Sequence, residues 1–366
     1  MRYRMMSIPD QDLVEKLSAE IDRVLASLIP AGTRVALINF PNHANAGDPA
    51  LWLGELASLR RIGARIIYRA SWASYRTEDL ARVLRADDVI LLHGGGNFGD
   101  LYLHNQAVTR LRVLESFPRH RTIQLPQSIW FRDEANRNEL RDRCQAHRDF
   151  TLLVREQQSL DLARRHFNVP TLLCPDMVFA LAPRPRRETP RVDVLWLARR
   201  DVESSGYAPP IHEADIEVVD WLQPLPDEPP ARLDFRLAMH LNQKLHPLAQ
   251  NGTATAWQRW LLGLTFATMA EGWTERGCRI LARGRVVVTD RLHGHILSLL
   301  QGIPHVVLDN SYGKLRTTYE TWTKSSYITH WASSHSEAIT LARDLAATQP
   351  EKNGEQNGEG KNGVVS

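Results

Sequence analysis

Short, mainly apolar, β-rich runs recur along this chain, each followed by a helical pattern, and that rhythm restricts the fold more than any other feature. VALINF (35–40), RIIY (65–68), VILLH (89–93), TIQL (122–125) and TLLV (151–154) lack the polar alternation of a strand with one wet face. Strands that are apolar on both faces and separated by helices build a parallel sheet covered on both sides. The stretch APRPRRETPRV (182–192) interrupts the rhythm with proline and arginine and reads as a connection. A second series follows, with VDVLWLA (192–198), IEVVDW (216–221), VVVTD from Val286 and HVVLDN from His305. The expected architecture is α/β, with two doubly wound domains over residues 1–182 and 192–348. Their strands' carboxyl ends should face a shared cleft, which is where such sheets bind ligands.

Other segments fit around this frame. Leu13, Leu17, Ile21, Val24, Leu25 and Leu28 recur at three- and four-residue spacing and predict an amphipathic packing helix over 12–29. A long helix is expected over 255–282, with most of Trp257, Trp260, Leu261, Leu264, Met269 and Trp273 in the core. Residues 349–366 carry too few apolar side chains to offset the entropy of ordering and should form a disordered tail.

The 366 residues include 45 basic and 42 acidic side chains, a balance that gives no electrostatic footprint for nucleic acid. Cys144, Cys174 and Cys278 are distant and odd in number, which suggests neither a disulfide framework nor a thiolate metal site and fits a reducing cytoplasm. Charged residues interrupt the amino-terminal segment, so no export signal is read there. The most apolar interior run, 261–270, is about half the length needed to span a bilayer. The expected location is cytoplasmic, with any association peripheral, either with the inner face of the plasma membrane or with polysaccharide assembly proteins.

The polar motifs fall just after strands. NFPNHANAGDPALWL (39–53) reads as strand, loop and helix, with Asp48 as N-cap and Pro49 as first helical residue; Asn42, His43 and Asn45 are placed to hold sugar hydroxyls. DVILLHGGGNFGDLY (88–102) matches the letters of a dinucleotide fingerprint, but Asn97 and Phe98 intervene where the helix should begin, and Asp100 would repel phosphate. Its glycines allow close backbone approach to a ligand, while Asn97 and Asp100 can bind or deprotonate a hydroxyl. VVVTDRLHGHILSLLQG (286–302) sets Arg291 and His293 beside a helix amino terminus, an arrangement suited to an anion; His293 and His295 have no third metal ligand nearby. WLARRDVES (196–204) adds Arg199 and Arg200, and DNSYGK (309–314) adds Asn310, Tyr312 and Lys314.

Taken in order, NAGDPAL from Asn45, HGGGNFGDLY from His93, LPQSIWF from Leu125, CPDMVFAL from Cys174, LARRD from Leu197, TDRLHGHI from Thr289 and DNSYGK from Asp309 form a set that resembles the polysaccharide pyruvyltransferase family. The resemblance covers residues 34–322. It implies two Rossmann-like domains similar to the GT-B glycosyltransferase fold, and phosphoenolpyruvate as donor. It further implies ketal formation on a hexose of a surface polysaccharide or its precursor, lipid-linked or otherwise, without a cofactor. The family's donor-binding Arg-Leu-His falls on Arg291, Leu292 and His293. Its upstream arginine falls on Arg199, with Arg200 adjacent, and Lys314 joins the donor side. Asn45, Asn97, Gln127 and Ser128 are the expected acceptor contacts. The Pro-rich stretch 205–254 matches no motif and is where acceptor preference is expected.

The chemistry follows from the donor. Phosphoenolpyruvate has two oxyanion groups, so Arg291 and Arg199 are expected to hold its carboxylate and phosphate. His293 is the expected proton donor to the methylene carbon, and Asp100 or Asp48 the base for the sugar hydroxyl. Arg291→Ala should abolish turnover with the fold intact. Two other readings are a glycosyltransferase of the same fold with a nucleotide-sugar donor and a non-catalytic sugar-binding protein. The first is weakened because, outside the tail, no glutamate pair has the eight-residue spacing that such enzymes often present near the donor ribose.

Overall fold

The computed structural model describes residues 10–101, 105–199, 210, 213–225, 227–309 and 313–348. Arg200, Asn310, Tyr312 and the tail from 349 lie outside them, as does part of the 205–254 stretch. In the first half, strands β1 (Arg34–Phe40), β2 (Arg65–Ser71), β3 (Val89–Leu92), β4 (Gly95–Gly99), β5 (Thr122–Trp130), β6 (Phe150–Val154) and β7 (Thr171–Leu173) alternate with helices. Those helices are α1 (Gln11–Leu28), α2 (Gly47–Arg61), α3 (Thr77–Val83), α4 (Gln106–Ser116), α5 (Glu134–Ala146) and α6 (Gln157–His166). The second half holds β8 (Val192–Leu197), β9 (Ile216–Val219), β10 (Gly284–Thr289), β11 (His305–Val307) and β12 (Thr329–Trp331). Its helices are α7 (Leu233–Gln250), α8 (Ala256–Ala282), α9 (Leu292–Gln301), α10 (Lys314–Thr318) and α11 (His335–Thr348).

Both sheets are parallel throughout the described pairings. The first runs β2-β1-β3-β5-β6-β7 with β4 alongside β5, and the second runs β12-β11-β10-β8-β9. The proline- and arginine-rich segment carries the chain from one sheet to the other without regular structure. Pro126 explains why the glycine motif contains a strand where only a loop was expected. β3 pairs with β5 as far as Gln124, and β4 takes over from Gln127. Between them proline has no N–H to give to a ladder, and Gly95, at φ +124, turns the chain into its new line.

One apolar cluster is continuous between the sheets, containing Leu37 and Leu125 from the first with Leu195 and Val287 from the second. Separate clusters cover the opposite faces. Helix α8 belongs to the second half of the sequence but lies against α2 and β2, with the Phe266 ring stacked on Phe40 at 4.1 Å. Gly263 lets α8 meet the Arg69 carbonyl, and Gly277 lets it meet Ala46. Burial of a side chain such as Phe266 stabilises by about 1.5–3 kcal/mol. The expectation that α8's aromatics are mostly core is corrected at its amino-terminal end, where Trp257 and Trp260 remain 64% and 59% exposed. Among the described residues no helix is long and apolar enough to cross a membrane.

Candidate active site

A cavity of about 710 Å³ opens where the carboxyl ends of both sheets converge. The loop after β1 contributes Asn42, His43, Asn45 and Asp48, and β3 leads into His93 and the glycines. Arg155 follows β6, Arg199 follows β8, Arg291 follows β10, and Lys314 opens α10. Each of these segments is the turn by which a buried parallel strand releases its chain toward a helix, so the fold itself collects them.

Arg155 was not singled out by its sequence context, yet it is the most deeply placed cation of the wall. Its side chain is fully buried, donating from Nη1 to Asp176 (2.6 Å) and from Nε to Ser128 Oγ (2.8 Å). Its Nη2 is buried without a hydrogen-bond partner among the described residues. A methyl group at Gly96 would run into the Lys314 ammonium and touch Arg155 Nη2 at 3.2 Å. Two cations therefore converge over a glycine whose missing side chain leaves them room.

Arg291 lines the same cavity but has protein partners. It donates from Nε to the Ala198 carbonyl (3.1 Å) and from Nη2 to Asp220 (3.1 Å), with the Trp221 ring 5.5 Å from its guanidinium carbon. This corrects the expectation of a simple anion fork, because the buried carboxylate of Asp220 holds part of the guanidinium from behind. Leu292 starts α9, and the His293 ring lies between two carboxylates, Asp48 at 3.9 Å and Asp176 at 3.5 Å. Gly47 is packed so closely on that ring that any Cβ would overlap it.

Asp48 does not cap its helix as expected. The helix opens one residue earlier, at Gly47, and the Asp48 carboxylate turns to His43 Nε2 (3.2 Å) and Asn45 Nδ2 (3.4 Å). Burial opposes its charge, but His43, with His293 and His93 nearby, outweighs that effect and holds the carboxyl far below its ordinary range. The same contact acts in reverse on His43: burial disfavours its cation, yet the bond to Asp48 raises its pKa overall. Asp176 is likewise buried, with the Arg155 guanidinium and His293 keeping it ionised well below the usual carboxylate range.

Beneath the glycine loop lies a buried polar web. His93 donates from Nδ1 to Glu55 (2.8 Å), which also accepts the Gly94 N–H (2.8 Å) and so sets the ring's orientation. Asn97 lines the cavity, but its side chain is held by Arg110 (2.6 Å), Gln127 (2.9 Å) and Gln106. Burial lowers the Arg110 pKa to about 10. Gln127 donates to the His93 carbonyl (3.0 Å), and Ser128 donates to Glu156 (2.9 Å). Neither lines the cavity; both are scaffold under it, in place of the acceptor contacts expected of them. Asp100 reaches the wall, but its carboxylate accepts the N–H groups of Arg132 (2.8 Å) and Asp133 (2.7 Å), fastening the entry to α5. His295 is removed from the site altogether. It is packed against His305 (2.7 Å) and Thr323 (3.0 Å), and burial keeps both rings neutral, His305 with its pKa lowered to about 4.

Of the residues expected from sequence, Asp48, Asp100, Asn45, Asn97, Arg199, Arg291, Leu292, His293 and Lys314 are brought together. Arg155, Asp176, Glu55, His93 and the His43–Asp48 pairing were missed as site elements. Asp176 stood in the CPDMVFAL motif without an assigned role, and Arg155 followed a strand end as directly as Arg199 does.

Comparison with known proteins gives the chain its relatives. The model of the polysaccharide pyruvyl transferase family matches residues 45–258 and 270–312. Pyruvyl transferase 1 of Schizosaccharomyces pombe is 34% identical over 311 residues, covering 79% of this chain and 69% of that protein. The Bacillus subtilis protein EpsO, named for pyruvyl transfer, is 29% identical over 313 residues, covering 85% of this chain and 90% of its own length. A crystal structure of a functionally uncharacterised Klebsiella pneumoniae protein superposes with a TM-score of 0.55 at 18% identity, over 87% of this chain and 99% of that one, a likeness of fold.

Proposed function

The chain belongs to the polysaccharide pyruvyl transferase family, and from that premise we propose that it transfers a pyruvyl group from phosphoenolpyruvate to a hexose of a surface polysaccharide or its precursor. The reading treats the two sheets as Rossmann-like halves arranged as in GT-B enzymes, with a donor side, an acceptor side and no cofactor. The observation that supports it most is the meeting of Arg155 Nη2 and Lys314 over Gly96 in the cavity wall. A buried guanidinium N–H without a partner is costly, and a phosphate oxygen would satisfy it.

In this mechanism Arg155 and Lys314 take the phosphate, while Arg291 and Arg199 take the carboxylate beside the amino terminus of α9. His293 gives a proton to the methylene carbon, which becomes the methyl group, and the adjoining carbon becomes electron-poor. One sugar hydroxyl adds there as its proton passes to a base, the C–O bond to phosphate breaks, and a second hydroxyl closes the ketal. Of the two hydroxyl protons, one restores His293 and the other leaves on hydrogen phosphate.

The base is better assigned to His43 than to either aspartate. Asp48 is held too far down to be an effective proton acceptor, and Asp100 is engaged by backbone donors. His43 is oriented by Asp48, and the same carboxylate makes its imidazole more basic. The test is incubation of the protein with phosphoenolpyruvate and a panel of simple and lipid-linked hexosides, following inorganic phosphate and the ketal methyl signal by NMR. Release of a nucleoside diphosphate from a nucleotide sugar, with no phosphate from phosphoenolpyruvate, would exclude this reading in favour of glycosyl transfer.

A further inference from the structure

A chain of contacts orders the cavity from one end to the other: Arg155 to Asp176, Asp176 to His293, His293 to Asp48, and Asp48 to His43. Arg155 stands at its first end, with Lys314 converging on it over Gly96. At the other end are Asn42, next in sequence to His43, and Trp72, in the loop after β2; both line the cavity. Each is backed by α7. Asn42 donates to Asn242 Oδ1 (3.2 Å), and the Trp72 ring meets His246 edge-on at 5.8 Å. Helix α7 is tied to the Trp72 loop by Arg76, which donates to the Ala249 carbonyl (2.6 Å).

We propose that Trp72 and Asn42, set in place by Asn242 and His246 of α7, form the subsite that receives the acceptor hexose. This rests on the pyruvyl-transfer reading for the sugar's role as acceptor. A pyranose has an apolar C–H face and a rim of hydroxyls. A half-buried indole wall beside an amide is matched to both, and the indole is a rigid platform because a perpendicular imidazole fixes it. Asn242 is buried and lies outside the cavity lining, so it holds Asn42 in place without itself facing the ligand. A hexose stacked on Trp72 presents its hydroxyls toward His43 and Asp48, the groups that must handle their protons. Trp72 and Asn42 are the contact residues; Asn242 and His246 are positioning residues. Acceptor preference would then be set in part by α7, which lies within the stretch 205–254 where that preference was expected.

The test uses the full chain with methyl α-D-glucopyranoside, methyl α-D-galactopyranoside and methyl α-D-mannopyranoside as probes. Saturation-transfer NMR reads binding and calorimetry reads phosphoenolpyruvate affinity. At least one glycoside should bind the wild type through its ring protons. Trp72→Ala should weaken it about tenfold, Trp72→Phe should restore most of the loss, and phosphoenolpyruvate affinity should change less than twofold in both. His246→Ala should raise the acceptor KM without lowering kcat, a split that general loosening of the fold would not give. Thermal unfolding checks that each variant is folded. Absence of glycoside binding to the wild type, equal binding by folded Trp72→Ala, or an equal loss of phosphoenolpyruvate affinity overturns the proposal. Glycoside binding through Trp72 by a protein that releases no phosphate from phosphoenolpyruvate would refute the reaction and leave the subsite standing.

Discussion

Replacing Gly96 by alanine should damage the donor site while leaving the protein folded. Gly96 is not among the positive-φ residues, so alanine can adopt its backbone without strain. The added methyl would collide with the Lys314 ammonium and press on Arg155 Nη2 at 3.2 Å. Arg155 cannot retreat, because Asp176 and Ser128 hold its other nitrogens within a buried wall. Lys314 must therefore swing aside, removing one charge-assisted hydrogen bond from the bound phosphate. Such a bond contributes about 1.5–3 kcal/mol, which corresponds to a loss of about ten- to hundredfold in affinity. Calorimetric titration with phosphoenolpyruvate measures this directly, and chemical unfolding should show a stability change of less than about 1 kcal/mol. Lys314→Ala should reproduce the loss, and the double variant should be little worse than either alone, because both substitutions remove the same contact. Phosphoenolpyruvate affinity within twofold of wild type in folded Gly96→Ala would refute the idea that these converging cations hold the donor.

Other outcomes follow from the same geometry. Arg291→Ala should cost stability as well as activity, about 3–5 kcal/mol in urea unfolding, because it leaves Asp220 buried without its cation; adding Asp220→Asn should recover most of the stability but not donor binding. Asp48→Asn removes the group that raises His43 and leaves burial to act alone, so the His43 pKa followed by NMR should fall and the acid limb of kcat/KM should move to lower pH. The His295–His305 pair should make stability depend on pH in a defined window. With His305 near 4 in the folded chain and near 6.5 unfolded, its contribution is complete above about pH 6.5 and is lost as pH falls toward 4, at up to roughly 1.4 kcal/mol per pH unit for each ring. His305→Asn should flatten that slope in thermal unfolding. Gly47→Ala should displace the His293 ring and lower kcat more than it changes donor affinity; an unaltered kcat would argue against His293 as proton donor.

The fold was largely legible because parallel strands buried on both faces have no polar alternation, and β1, β2, β3, β5, β6 and β8 to β11 all contain the apolar runs that announce them. β4 was not, because glycine-rich sequence carries no strand signal and its pairing is supplied by the second half of β5. The exposed Trp257 and Trp260 misled for a related reason: helical periodicity identifies an apolar face but not whether anything covers it. In the site, Arg291 and His293 stood out by their place between strand and helix. The Asp220 carboxylate behind Arg291 did not, since that contact joins residues 71 positions apart. Arg155 and Asp176 form a pair only through the meeting of two strand ends, and nothing in either segment alone indicates it. The same holds for Gln127 and Ser128, whose polar side chains look available until the web that occupies them is seen.

The placement of α8 has a consequence for attempts to divide the protein. A fragment cut at the Pro-Arg connection would leave the amino-terminal piece without the helix that shields Phe40, Trp52 and the edge of β2. Such a half-molecule would present the Phe40 and Trp52 rings to water and self-associate rather than behave as an autonomous unit. Complementation by residues 183–366 supplied in trans, rather than either piece alone, is the route by which a severed chain would regain solubility.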